Sequence, residues 1–130
     1  MSNSDFYNRF FVNLTPHAIR VRSPWRESEA EPYDADVVIP ASGTVARLAP
    51  TRQEKAVIAG QFKLDSISFA EVEGLPEYEE GQATYYIVSM PVGQAVHRSD
   101  VIVPDTQPDS SCIRDERGQI FAVRGFVQFV

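Results

Sequence analysis

The chain has 130 residues, 43% of them hydrophobic and 23% charged, the size and composition of one ordinary globular domain, which excludes wholesale disorder. Its formal net charge of −6 argues against a broad duplex-DNA footprint, because phosphate binding needs a clustered basic surface. No apolar run approaches the roughly 20 residues of a membrane span, no secretory signal is visible in the opening MSNSDFYNRFF, and a lone Cys112 can close no internal disulfide.

Nine prolines and seven glycines cut the chain into short pieces, and short pieces with period-two patterning read as strands. Arg9 to Leu14 (RFFVNL) is a first strand. After Thr15-Pro16-His17, Ala18 to Arg22 (AIRVR) alternates, with Ile19 and Val21 on one face and Arg20 and Arg22 on the other, so the two are expected to form a hairpin. Ser23 to Asp36 is an acidic loop carrying Trp25 and Tyr33. Val37 to Ile39 and Thr44 to Leu48 read as a second hairpin around Gly43, the natural site for a positive φ.

Ala49 to Gly60 is ambiguous: Thr51 and Glu54 could cap a helix, yet Ala56-Val57-Ile58 suits a strand. Gln61 to Leu64 and Ile67 to Val72 alternate as strands. Glu73 to Gln82 is an acidic loop. Thr84 to Ser89 (TYYIVS) is the strongest strand, bulky enough to lie centrally beside Val101 to Val103. Between them Pro91 can open a short helix, where its missing N–H costs nothing. Cys112 to Arg114 and Gln119 to Val123 flank a turn ending in Gly118, and Phe126 to Val130 (FVQFV) is apolar enough to need burial. The expectation is a mainly β, α+β fold: a single domain over 1–130 of short antiparallel and mixed strands with one or two short helices, and a flexible 1–8 segment.

Three clusters could carry chemistry. In Asn13-Leu14-Thr15-Pro16-His17, the Asn and Thr side chains could satisfy their own turn, or Thr15 and His17 could face a ligand. Ser89, Gln94, His97, Arg98 and Asp100 surround the element after TYYIVS, where a helix start could receive an anion, although no glycine-rich phosphate loop is present. Asp105 and Thr106 follow the Val101 strand. They are ordinary turn residues, but a carboxylate and a hydroxyl there could read a ribose or a base.

Catalysis has little support. His17, Ser89 and Asp105 can be drawn as a triad, but no G-x-S-x-G elbow occurs. Cys112 lacks the flanks of a catalytic thiol, and the two histidines show no metal-ligand spacing. Enzymatic activity is left open with the balance against it; no catalytic residue, metal or cofactor is assigned. Ten of the twelve basic residues are Arg, whose planar fork suits phosphates and carboxylates as well as surface ion pairs.

The segments FVNLTPHAIRV, IPASGTVARLA, EGLPEYEEGQATYYIVS and VIVPDTQPDSSCIRDERGQIFAVRGF resemble a family of small tailed-phage and prophage proteins. That family typically carries an N-L-T-P-H turn, a P-x-S-G-x-x-A-R block, a G-L-P loop, a Y-Y-I-V-S strand and a V-P-D-T motif. The resemblance points to Asn13, Thr15, Pro16, His17, Ser42, Gly43, Arg47, Ser89, Asp105 and Thr106. It implies a protein working in the cytoplasm of the bacterial host, where small phage proteins without catalytic motifs are often inhibitors or sequestering proteins aimed at host defence, several unrelated small families holding nucleotide immune signals. The alternative is an accessory phage protein acting through protein–protein contacts.

Under the first reading Asn13, Thr15, His17, Arg47, Tyr85, Ser89, Asp105 and Thr106 converge on one cleft. Arg47 would take a phosphate, Tyr85 or Tyr86 would stack a base, and Asp105 or Thr106 would read a ribose. The apolar pieces RFF and FVQFV further suggest edge pairing into a two-fold homodimer. Neither duplex nucleic acid nor a membrane is expected as a partner.

Overall fold

A computed structural model describes residues 10–22, 36–107 and 112–129. The 1–8 segment, Trp25 and Tyr33 lie outside the described residues. The fold is mainly β with one short helix. The elements are β1 (Phe11–Asn13), β2 (Ile19–Val21), β3 (Val37–Ile39), β4 (Arg47–Ile58), β5 (Phe62–Glu73), β6 (Tyr85–Ile87), α1 (Met90–Ala95), β7 (Val101–Pro104), β8 (Cys112–Arg114), β9 (Ile120–Val123) and β10 (Phe126–Val127).

Three sheets result. The first runs β1-β6-β7-β10, the second β3-β2-β9-β8, and the third is the β4-β5 pair. In the first, β1, β6 and β7 are parallel, with Asn13 opposite Ile87 and Ile87 opposite Ile102; β10 closes the edge antiparallel to β7. The sheet is covered on both faces, which is why YYI and VIV are uninterruptedly apolar. One face packs with Leu14, Ala46, Val92 and the root of the ribbon at Leu48 and Val72. The other brings Ile87 and Ile102 against Ile39, Ile19 and Val21 of the second sheet. Ile87 has no exposed surface, a burial that contributes roughly 1.5–3 kcal/mol.

TYYIVS and VIV are therefore neighbouring strands, buried over Tyr86–Val88 and Val101–Val103 with Tyr85 exposed, and α1 is the crossover that parallel neighbours require. α1 lies tightly on β7: a Cβ at Gly93 would be driven into Cγ2 of Val103. Cys112 to Arg114 and Ile120 to Val123 form the expected hairpin, with Gly118 at φ +80° and Asp115 Oδ1 accepting from the backbone N–H groups of Arg117 and Gln119.

Other expectations are corrected. β1 and β2 do not form a hairpin: β1 joins β6, while β2 pairs with β3 and β9 in another sheet. The Thr15–His17 turn carries the chain from one layer to the next. Val37 to Ile39 pairs with β2, not with Thr44 to Leu48. Arg47 onward belongs to β4, so the ambiguous Ala49 to Gly60 segment is strand down to Ile58 and Thr51 caps no helix. Its partner is continuous through Phe62–Glu73. Ala59 and Gly60, both at positive φ, turn the ribbon, with the Gln61 N–H donating to the Ile58 carbonyl at 3.1 Å. Such a primed turn matches the natural twist of a β-ribbon.

Arg22 is not on a solvent face. It is wholly buried, and Asp36 meets it in a bidentate ion pair at 3.0 Å. FVQFV is partly internal: Val127 pairs with Val103, and Phe126 stacks on Phe11 at 5.6 Å.

Candidate functional site

Because β1, β6 and β7 run parallel, their C-terminal ends share one edge of the sheet. The segments that leave them are Leu14–His17, Val88–Ser89 and Asp105–Thr106. Three motifs distant in sequence are thereby brought together, and the crevice beyond the carboxyl ends of parallel strands is a recurrent place for ligands. The segment after Ser42 follows the same edge. Ser42 N–H donates to the Asn13 carbonyl at 3.0 Å and Ala46 N–H to the Leu14 carbonyl at 2.9 Å. These bonds carry Arg47 to the same place.

Two cavities occupy this end. The larger, about 780 Å³, lies between the Leu14–Pro16 turn, Val45–Leu48 and α1, and Arg47, Ser89 and Gln94 contribute its polar groups. The smaller, about 200 Å³, is lined by Thr15, His17, Ser89, Pro104 and Thr106 among others. Thr15 and Ser89 line both. Of the residues expected in one cleft, Thr15, Arg47 and Ser89 line the larger cavity and Thr15, His17, Ser89 and Thr106 the smaller, so Arg47 shares a cavity with neither His17 nor Thr106.

Their availability differs. Asn13 is 1% exposed and works inside the turn. Its Nδ2 donates to the carbonyls of His17 at 2.9 Å and Ile39 at 3.1 Å, while its Oδ1 accepts from Thr15 N–H at 3.0 Å and Thr15 Oγ1 at 2.6 Å. Asn13 and the Thr15 hydroxyl thus take the local role, fixing the turn's shape. Ser89 stands at the N-cap position of α1, but its side chain makes no capping bond. Among the described residues no side-chain hydrogen bond or ion pair engages the Ser89 hydroxyl, the Thr106 hydroxyl, the His17 imidazole or the Arg47 guanidinium. These four groups are free to meet a ligand, as is the Gln94 side chain.

Two expected members fall elsewhere. Asp105 lines neither of these two cavities; its Oδ1 accepts from Gln107 N–H at 3.2 Å, closing its own turn. Tyr85 projects on the opposite side of the strand from Tyr86 and lines a separate cavity of about 440 Å³ with Phe11, Ile102 and Phe126. Tyr86 is buried in the core and accepts from Gln82 Nε2 through its hydroxyl at 3.1 Å. The two tyrosines were indistinguishable as members of an apolar run, and only the register assigns their faces.

Within the second sequence cluster, Arg98 and Asp100 are structural. Arg98 Nε and Nη2 donate to the Asp100 carboxylate at 2.9 and 2.7 Å, and Nη1 donates to the Pro76 carbonyl at 2.9 Å. The pair ties the acidic loop to the start of β7. His97 Nε2 lies 3.0 Å from the Gln94 carbonyl. The apolar lining by Leu14, Val45, Pro91 and Val92 had no sequence signal as a site, because these residues read only as core. Among the described residues no three of His, Cys, Asp and Glu cluster to hold a metal ion, and no helix is long and apolar enough to cross a membrane. The chain matches no family model, no curated protein and no solved structure.

Proposed function

We propose that the chain is a non-enzymatic binding protein that holds a small anionic molecule of the nucleotide class in the two adjoining cavities. The observation that carries this reading is that Arg47 and Ser89 line one cavity and Ser89, His17 and Thr106 the other, while none of these side chains is engaged elsewhere among the described residues. Arg47 supplies a planar, permanently charged donor for a phosphate. The Ser89 and Thr106 hydroxyls can donate to or accept from a ribose. The apolar wall of Leu14, Val45 and Val92 receives the less polar part of the ligand. Since Tyr85 faces another cavity, a base at this site would rest on His17 or the apolar wall.

Proline-fixed turns favour such a site, because little freedom remains to be lost on binding. The resemblance to tailed-phage proteins gives the reading its setting: sequestration of a nucleotide-derived immune signal in the bacterial cytoplasm. The alternative reading, an accessory protein acting through protein contacts, draws on the apolar side chains exposed along β4 and β5.

The test is an unbiased mass-spectrometric search for small molecules released intact when the purified protein is denatured, followed by titration of the identified class. Arg47→Ala should weaken binding by roughly 10- to 150-fold, the loss of one charge-assisted hydrogen bond at about 1.5–3 kcal/mol. The melting temperature should hardly change, since Arg47 is exposed. Recovery of a chemically altered ligand would replace sequestration with catalysis, and silence against all metabolites would favour the interaction reading.

A further inference from the structure

The candidate site continues past Thr106. A further cavity of about 150 Å³ adjoins the smaller one and shares Ala18, Ile19, Pro104 and Thr106 with it. Arg20 of β2 and Phe121 of β9 line its other side. The topology explains the opening: β2 and β9 pair only at Val21 and Val123, which leaves the two strands unjoined at Ile19 and Phe121. The three cavities form one trough. Thr15 and Ser89 join the first to the second, and Pro104 and Thr106 join the second to the third.

This trough crosses the edge of the first sheet. The cavity of Arg47 borders the core of Leu14, Ala46 and Val92 on one face. The middle cavity touches both cores, through Val88 and Val103 on that face and through Ile19 on the other. Arg20 lies beyond, in the second sheet. A permanent cation thus stands at each end, with Ser89, His17 and Thr106 between. Arg20 keeps donors in reserve. Its Nη1 donates to Asp36 Oδ2 at 3.2 Å, and among the described residues its Nε and Nη2 make no hydrogen bond. The Phe121 ring, 5.2 Å from the guanidinium carbon, holds the group in place.

We propose that the ligand carries two separated anionic groups, as a dinucleotide does, one held by Arg47 and the other by Arg20. The inference rests on the nucleotide reading of the site and narrows its class. Geometry selects two groups over one. Stacked layers lie about 10 Å apart, and Arg47 and Arg20 stand on opposite sides of the first sheet, so no single phosphate reaches both. Charge selects against a compact polyphosphate. Among the described residues Arg47 is the one Lys or Arg lining the first cavity and Arg20 the one lining the third, so a run of adjacent phosphates would bring several charges to one cation. An extended ligand also uses the middle of the trough, where the Ser89 and Thr106 hydroxyls can donate to or accept from the nucleoside between its phosphates.

Titration of the whole chain, read by native mass spectrometry, with ribonucleoside monophosphates, nucleoside triphosphates and a pool of terminally phosphorylated dinucleotides tests it. Dinucleotides should bind at least about tenfold more tightly than any monophosphate, the contribution of one further charge-assisted bond. Arg20→Ala should remove that advantage with far-UV circular dichroism kept, bringing dinucleotides to the affinity of monophosphates, whereas Arg47→Ala should weaken both. If Arg20→Ala disturbs the fold, Arg20→Gln, which can still donate to Asp36, repeats the test without the charge. Monophosphates bound through Arg47 as tightly as dinucleotides overturn this inference alone, as does a dinucleotide advantage indifferent to both Arg20 variants or a preference for triphosphates. Absence of binding by every nucleotide overturns the reading of the site itself, and this inference with it.

Discussion

Replacing Asp36 with Ala should be among the most damaging single changes in this domain. Arg22 has no exposed surface, and the Asp36 side chain is 1% exposed. Arg22 Nε donates to Oδ1 and Nη2 to Oδ2, each at 3.0 Å, and Arg20 Nη1 adds a third bond to Oδ2 at 3.2 Å. Both guanidinium carbons lie over the Phe121 ring, at 5.2 Å for Arg20 and 5.6 Å for Arg22. Removing the carboxylate takes away both charge-assisted bonds that Asp36 accepts from this buried guanidinium, and breaking a buried ion pair from one side costs about 3–5 kcal/mol. Small domains have total stabilities of about 5–15 kcal/mol, so the variant should sit near its unfolding threshold.

Two companions separate the buried pair from the outer bond. Arg20 is 26% exposed, so Arg20→Ala should cost no more than about 1 kcal/mol. Arg22→Met combined with Asp36→Leu removes both charges at once and should recover most of the loss, because a well-packed apolar pair often equals a buried ion pair. Urea unfolding followed by far-UV circular dichroism measures all three, provided the slopes agree. A loss below about 1 kcal/mol for Asp36→Ala, or a double variant no more stable than the single one, would refute the assignment of this pair to the interior.

Gly93→Ala should destabilise by about 1–3 kcal/mol, the usual cost of overpacking a core, because its methyl group meets Val103; thermal unfolding checks this, and an unchanged melting temperature would mean that α1 is not seated on β7. Asn13→Ala should cost about 1–3 kcal/mol by removing the Nδ2 donor to the buried Ile39 carbonyl and the Oδ1 acceptor of Thr15, and it should weaken ligand binding through the turn's shape, whereas Arg47→Ala weakens binding alone.

The strands of the first sheet were legible because their composition carried the signal. TYYIVS and VIV are continuous apolar runs, and such runs suit strands covered on both faces. Proline and glycine marked the ends: Pro16 and Pro91 follow β1 and β6, and Pro104 ends β7. What the residues could not supply was pairing. The hairpin expected between RFFVNL and AIRVR rests on adjacency, the commonest rule of connection, and the Thr15–His17 turn overrides it by carrying the chain into another layer. Arg22 was illegible for a related reason. Alternation places it opposite Ile19 and Val21, but whether that side is solvent or a second core depends on Asp36, 14 residues on, and on Phe121 of β9.

The same limits explain the site. Asn13, Ser89 and Asp105 each follow or end a proline-bounded strand, so each reads as a turn, and turn residues can serve themselves or a ligand. The parallel order of β1, β6 and β7 gathers the turns at one end, and hydrogen-bond accounting then separates the roles. Asn13 and Asp105 spend their side chains on their own backbones. Ser89 and Thr106 occupy equivalent places without doing so. A residue type enriched in turns for local bonding, placed where it makes no such bond, keeps its hydroxyl available to the cavity it lines. The same distinction holds for the arginines: Arg22, Arg52 and Arg98 are paired with carboxylates, while Arg47 at the root of the ribbon borders the larger cavity with its charge uncommitted among the described residues. The ribbon divides along its length in the same way, its root building the cavity wall through Arg47 and Leu48 and its far end leaving Ile58, Phe62 and Leu64 exposed.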